Sequence, residues 1–428
     1  MNTRVALIVA SLVLALPARA QEDAEPTPAT ATVFARFSDR ILKIQLIETS
    51  SNAKSTIGTG FFISADGLMM TNYHVISERI HEPDDYRVEI VDQDGSAHTV
   101  EVIAVDVVHD LAVLRTGRST PRHFTLGSVP LRQGDRLYSL GHPNDLGLSI
   151  VEGTYNGNLK HTLYPKIHFT GSINSGMSGG PTITGDGRVA GVNVRTMGNQ
   201  RSFLVPEKEA TALLAKVQAS DFVPAAEPLK EIAAQLTAYQ EEYLKDLLVG
   251  ETKTVDFGPF RVISEPATVF RCWGGADKSD DRADEEPMYE ELWHQCATDD
   301  DVFIAGDQSS GVVRVSHVAL SSTRLNGSRF AALYANRFAN DNTPSGDEKH
   351  VTVWKCVTRN VAAKNLPVRS VLCLRGLKKL DGLYDAVLKV AVLGKGDQGL
   401  ISTLTLSGAS FENIQRLTSG FLERIAWR

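Results

Sequence analysis

Three segments of this 428-residue chain carry residue types that together can do acyl-transfer chemistry. The first is Asn174-Ser175-Gly176-Met177-Ser178-Gly179-Gly180-Pro181, where Ser178 stands among glycines. The others lie upstream: Thr71-Asn72-Tyr73-His74-Val75 and His109-Asp110-Leu111-Ala112-Val113-Leu114. A serine hydroxyl is a weak nucleophile until a base takes its proton. An imidazole does this best when a carboxylate fixes its tautomer. Ser178, His74 and Asp110 supply these groups. A lone serine in a Gly-rich turn is usually only a turn; the histidine and aspartate at sensible distances favour catalysis.

The pentapeptide at 176–180 alone fits two unrelated hydrolase patterns, G-x-S-G-G and the G-x-S-x-G nucleophile elbow. The elbow needs a strand-to-helix turn, with its acid and histidine after the serine. Here Pro181-Thr182-Ile183 leads into a turn at Gly185-Asp186-Gly187 and then another strand, and the best histidine and aspartate precede the serine. The elements that must position these residues are short β-type runs between turn signals, from about residue 33 to 206. They include residues 41–47, 61–63, 87–91, 99–105 and 188–194, with Asp66-Gly67 and Asp94-Gly95 as hairpin turns. Many short strands at close spacing predict barrels or a sandwich. Residues 207–217 read as a closing helix.

These residues resemble the trypsin-like (chymotrypsin-fold) serine peptidases, and within them the bacterial HtrA-like branch. The stretch from Gly58-Thr59-Gly60-Phe61-Phe62 to His74-Val75 is similar to the catalytic-histidine region. Asp110-Leu111-Ala112-Val113-Leu114 is similar to the aspartate segment, and Leu140-Gly141-His142-Pro143 to the turn before the second barrel. The likeness covers about residues 35–210. It implies an all-β double six-stranded barrel with His74 and Asp110 on the first barrel and Ser178 on the second. It further implies an oxyanion hole from the Gly176 and Ser178 amides, and a substrate site with Ile173 in the specificity-pocket wall and Ser202, Phe203 and Leu204 on a strand that pairs with substrate. No carboxylate stands at those places, which argues against Lys/Arg preference and for a small or medium apolar residue. One departure is Met177, where many secreted members place an aspartate that pairs with a new N-terminal ammonium. Methionine cannot make that ion pair.

The remaining sequence sets the surroundings. Residues 1–20 have a positive start, a short apolar run and an Ala-x-Ala ending, as in a secretory signal peptide; for an uncleaved anchor the run is short. Residues 21–32 read as a flexible lead-in, 33–219 as the peptidase domain and 220–228 as a linker. Residues 229–428 read as an α+β domain of unrecognised family. It opens with a helix whose apolar stripe runs from Leu229 to Leu247 and ends with another from Phe411 to Ile425. Strand-like runs fall at 312–315, 351–354, 371–374, 386–392 and 400–404.

The four cysteines, Cys272, Cys296, Cys356 and Cys373, lie in an exported chain and predict two disulfides, paired in sequence order. Each is worth roughly 3 kcal/mol in the chain-entropy model. Zinc is the competing reading, but no CxxC pair is present. The acidic stretch 272–301 lacks the calcium-loop pattern and reads as a solvated, disulfide-tethered loop, and Asp84-Asp85 and Asp299-Asp300-Asp301 read as solvated faces. His109, His142 and His168 read as structural or surface groups, and Asn326-Gly327-Ser328 fits a glycosylation sequon.

A net charge of −7 offers no footprint for nucleic acid or anionic lipid, and no segment beyond the signal is long and apolar enough to span a bilayer. The sequence thus predicts an exported, periplasmic or secreted serine endopeptidase acting on proteins or peptides, without metal or cofactor. The alternatives are a latent or gated scaffold controlled by the C-terminal domain, and an esterase.

Overall fold

Apolar alternation in the first half becomes strands that curl around two cores. The computed structural model describes residues 29–428 apart from 199, 245–246, 248–252, 266, 268, 279–286, 340–342 and 365. The expected signal peptide lies outside these residues. Where the sequence predicts an unstructured lead-in to residue 32, a helix α1 (Thr30–Phe37) already begins, because Val33 and Phe37 are buried against the first sheet.

The first sheet contains β1 (Ile41–Glu48), β2 (Ala53–Phe62), β3 (Leu68–Thr71), β4 (Tyr86–Val91), β5 (Ala97–Thr99), β6 (Glu101–Asp106) and β7 (Leu111–Arg115) in the order β5-β4-β1-β2-β3-β7-β6. It has seven strands where six are expected. The extra one arises because β5 and β6 are a single run broken at Val100, whose amide bonds Val88. One half pairs with β4 and the other with β7, so the sheet returns on itself. Helix α2 (Tyr73–His81) follows β3. The second sheet is a closed barrel, β10-β13-β12-β11-β8-β9, built from β8 (Arg136–Gly141), β9 (Ser149–Asn158), β10 (Ile167–Phe169), β11 (Pro181–Ile183), β12 (Val189–Thr196) and β13 (Ser202–Pro206). Helix α3 (Glu207–Gln218) closes it.

Beyond residue 219 the chain is irregular until Pro228 opens α4 (Pro228–Tyr243). Proline at the first helical position costs no hydrogen bond. Two strands, β14 (Lys253–Phe257) and β15 (Phe260–Glu265), follow. Then β16 (Phe270–Lys278), β17 (Tyr289–Thr298), β18 (Val302–Ala305), β19 (Gln308–Ser310), β20 (Val313–Ser322), β21 (Lys355–Ala363), β22 (Leu366–Gly376), β23 (Leu383–Val392), β24 (Gln398–Ser410) and β25 (Ala426–Trp427) complete the chain. Strands β16-β17-β20-β24-β23-β22-β21 form an antiparallel sheet, and β18-β19 is a separate hairpin. Helix Phe411–Glu423, capped by the Ser410 hydroxyl, lays Ile414, Leu417 and Phe421 on the sheet.

Several expectations change here. The acidic stretch 272–301 is not a loop throughout: β16 pairs antiparallel with β17, from Phe270 opposite Thr298 to Lys278 opposite Glu290, and residues 279–286 lie outside the described residues. Residues 351–354 form one isolated bridge, from Val351 to Leu377, and the strand begins at Lys355. A helix at Gly327–Ala339 is added, with Asn326 of the sequon accepting from the Arg329 amide as its cap. Cysteines 272 and 296, and 356 and 373, face each other across paired strands and are joined. His294 stands beside the first pair, but two sulfurs bonded to each other leave no thiolate to ligate a metal.

The second half is not hung on a free linker. Ile232 and Leu236 of α4, Val302, Ile304 and Ala305 of β18, and Leu377, Leu380 and Leu383 share one core with Leu42, Leu46, Tyr73 and Ile76 of the first barrel. Gln235 donates to the Val105 carbonyl and accepts from the Val107 amide, both at 2.9 Å. Asp300 was expected in a solvated run. It is instead buried against Lys166, with Oδ1 2.5 Å from Nζ. That ammonium also sits 4.3 Å from the centre of the Tyr164 ring. Each charge is the other's counterion, although Asp300 Oδ2 is buried without a hydrogen-bond partner among the described residues. Asp300→Ala strands the Lys166 charge, so urea unfolding of the full chain should lose about 3–5 kcal/mol, and a Lys166→Met/Asp300→Leu double variant should recover most of it.

Candidate active site

The loop carrying Ser178 is two successive tight turns. Met177 donates to the Asn174 carbonyl at 3.0 Å and Gly180 to the Met177 carbonyl at 3.1 Å. The third residue of each turn is a glycine with positive φ, Gly176 at 91° and Gly179 at 82°. Type II turns demand this, and only glycine takes it without strain. Space forbids a side chain as well. A Cβ on Gly176 would stand 2.3 Å from the His142 carbonyl oxygen, and one on Gly179 2.3 Å from the Thr59 carbonyl oxygen. Among the described residues, neither the Gly176 nor the Ser178 amide donates a hydrogen bond within the chain. Both are left free beside the Ser178 hydroxyl.

Thr59 on β2 fixes this loop to the first barrel. Its hydroxyl donates to the Gly176 carbonyl (2.7 Å) and accepts from the His142 amide (3.0 Å); its own amide donates to the Ser178 carbonyl (2.8 Å). From the other side Asn193 uses its whole side chain. Nδ2 donates to the Leu140 and Met177 carbonyls, while Oδ1 accepts from Ser139 and Thr182. Met177 is fully buried in the second barrel core with Ile173, Phe169 and Leu204, so the side chain before the serine is a core plug.

His74 sits in the first turn of α2. Its Nδ1 lies 2.6 Å from Asp110 Oδ2, and its backbone amide donates to Oδ1 at 2.8 Å. A carboxylate only accepts, so the proton resides on Nδ1 and Nε2 is left as the base. Asp110 itself has φ of 55°, a left-handed conformation costing of order 1 kcal/mol. It is held there because its carbonyl accepts from Asn72 Nδ2 (2.8 Å) and the Tyr73 amide (3.2 Å). Burial works against the His74 imidazolium, but the Asp110 charge and hydrogen bond outweigh it and raise the pKa above its ordinary value. The Ser178 hydroxyl makes no hydrogen bond to His74 among the described residues. The loop nonetheless abuts that segment, since Gly179 packs on Thr71 and Asn72.

Other expected residues fall as follows. Ile173 is buried in the second barrel, its amide held by the Ser202 hydroxyl at 3.1 Å. Ser202, Phe203 and Leu204 do not offer a pairing edge. They lie on β13, which is buried and paired on one side with β10 and on the other with β12, so closure of the barrel uses both its edges. The vacant edge is on β12. Gly179 and Gly180 bond Asn193, and Val194–Thr196 then run past the start of β11 with no strand among the described residues on the side facing Ser178. Sequence reasoning missed this because two adjacent strands look alike until closure selects between them. It also passed over Thr59, whose place in Gly58-Thr59-Gly60 was the available signal. His142 is structural; burial and Lys43 push its pKa down to about 4. His109 is bound to Asp106 at 2.7 Å and packs on Tyr164, and His168 packs on Phe203.

A sequence profile of the trypsin-like peptidase domain matches residues 58–192. That stretch is similar to the trypsin-like peptidase domain, and its relatives include periplasmic DegP-like serine endoproteases of bacteria. The chain is 34% identical over 159 residues to the mitochondrial serine protease HTRA2 of Bos taurus, covering 35% of this chain and 33% of that protein. It is 33% identical over 163 residues to a probable periplasmic serine endoprotease DegP-like of Halomonas elongata, covering 37% and 33%. The chain thus spans about a third of the length of these relatives. A solved serine endoprotease from Yersinia pestis overlays with a TM-score of 0.39 at 23% identity, covering 45% of this chain and 68% of that one.

Two measurements test this geometry. Because the raised His74 pKa must be passed before Nε2 is free, kcat/KM should rise with pH with a midpoint above about 6.5. Asp110→Asn should lower that midpoint and cut kcat roughly ten-thousand-fold. Thr59→Val keeps shape but frees the Gly176 carbonyl; kcat should fall about tenfold or more with KM little changed, and Thr59→Ser should restore it.

Proposed function

We propose that this chain is an exported serine endopeptidase. Ser178 attacks the scissile carbonyl, and His74 takes its proton and returns it to the leaving amine. Asp110 holds the imidazole and stabilises its charged form. The amides of Gly176 and Ser178 receive the developing oxyanion. The observation that carries this reading is the pair of unengaged amides flanking Ser178 beside a His74–Asp110 dyad. Substrate main chain would pair with the vacant edge Val194–Thr196, with the side chain before the cut directed toward Ile173. Substrates are proteins or peptides. Residues 1–20 serve as a signal peptide, 33–219 as the peptidase domain and 229–428 as an α+β domain. Export is supported by the periplasmic proteins among the relatives and by the two disulfides. No helix among the described residues is long and apolar enough to cross a membrane.

A second reading, a restrained peptidase governed by its C-terminal half, has one observation in its favour: β18 packs against the α2 helix that carries His74. The free amides favour the competent enzyme. A fluorophosphonate probe should label the wild type and fail to label Ser178→Ala; no labelling of the wild type would reject the enzyme. Faster turnover of simple esters than of any peptide would point to an esterase. With Met177 buried in the core, no carboxylate awaits a new N-terminus. Activity should therefore be equal with and without an added N-terminal tag, and an absolute need for one cleaved N-terminus would overturn this.

A further inference from the structure

We infer that Phe303, from the C-terminal half, is a specificity-determining residue that walls the substrate site on the His74 side and favours an apolar substrate side chain adjoining the scissile bond. This rests on the peptidase reading above. The segment Asp300–Ala305 spans the two barrels alongside the site and is fastened to both. Asp300 is buried against Lys166, which precedes β10, and Asp301 pairs with Arg195 on the vacant edge of β12 at 3.2 Å. At the other end the Ile304 carbonyl accepts from the Tyr73 hydroxyl at 2.8 Å, one residue before His74.

Val302 and Ile304 are almost wholly buried in the shared core, whereas Phe303 between them packs on the edge of that core and keeps part of its ring exposed on the His74 side. There it stays half-buried, its ring edge-on to the His74 ring with centroids 6.2 Å apart, and 6.1 Å from the Tyr73 ring. A ring held by a backbone anchored at both ends has little freedom to move. Its open part is an apolar surface beside the base. A chain laid along Val194–Thr196 with its scissile carbonyl at Ser178 and its leaving amine at His74 would come close to that ring. A side chain flanking the scissile bond would lose water against the Phe303 ring, and an apolar one gains most.

The test uses the full-length protein and peptides varied one position at a time on both sides of the cut, from glycine to leucine and phenylalanine. Wild-type kcat/KM should favour the bulky apolar residue at one position. Phe303→Ala should lower kcat/KM for those peptides by about tenfold and affect the glycine peptide much less, with Phe303→Leu intermediate. An equal loss for every peptide in both variants would show a merely structural role and overturn the proposal. A gain for every peptide would show that the ring blocks the site, and would overturn it too. Fluorophosphonate labelling of wild type against Ser178→Ala reads the peptidase assignment separately. If labelling is present while the Phe303 profiles are unchanged, only the specificity role fails.

Discussion

One residue, Thr59, ties the nucleophile loop to the first barrel through its hydroxyl and its backbone amide. The site lies between two separate sheets, so nothing within either sheet fixes Ser178 relative to His74. Thr59 does so with three hydrogen bonds, to the Gly176 carbonyl, the His142 amide and the Ser178 carbonyl. Holding the Gly176 carbonyl away from the site leaves the Gly176 and Ser178 amides without internal partners. The geometry that binds an oxyanion is thus a consequence of where one hydroxyl sits on β2. Asn193 performs the matching task from the second barrel, with every polar atom of its side chain engaged.

The second constraint is the shared core. Helix α4 sends Ile232 and Leu236 into the first barrel's core and Leu244, just beyond it, into the core of the C-terminal sheet. The boundary between the halves is therefore a packed interface, and cutting the chain near residue 220 would expose Tyr73 and Ile76 from beneath it. The buried Lys166–Asp300 pair lies at the same junction. A buried ion pair adds little net stability over an apolar pair, but it tolerates few alternative arrangements. It suits a junction whose register must be kept.

Legibility followed the range of the interaction. The glycine-rich turn around Ser178 was readable because tight turns are set within a few residues, and Gly176 and Gly179 take the positive φ that such turns demand. The cysteine pairing follows strand neighbours and was likewise within reach. Failures came where a residue's setting depends on distant chain. Asp299-Asp300-Asp301 has the composition of a solvated run, yet Lys166, 134 residues earlier, makes a buried partner of its middle member. The stretch 272–301 is acidic enough to suggest a loop, yet β20 supplies a template against which β17 pairs in full register.

The sequence by itself determined the chemistry: which hydroxyl, imidazole and carboxylate are available, that the serine stands in a glycine-rich turn, and that Met177 cannot hold an ammonium. These follow from residue types and local backbone limits. Tertiary structure alone decided which strand keeps an open edge, since β12 and β13 differ only in what barrel closure leaves unpaired. It also decided that the C-terminal half lays Phe303 against His74. That contact joins residues more than two hundred positions apart, and no local propensity specifies it; it exists because two cores merged and carried one strand across the cleft.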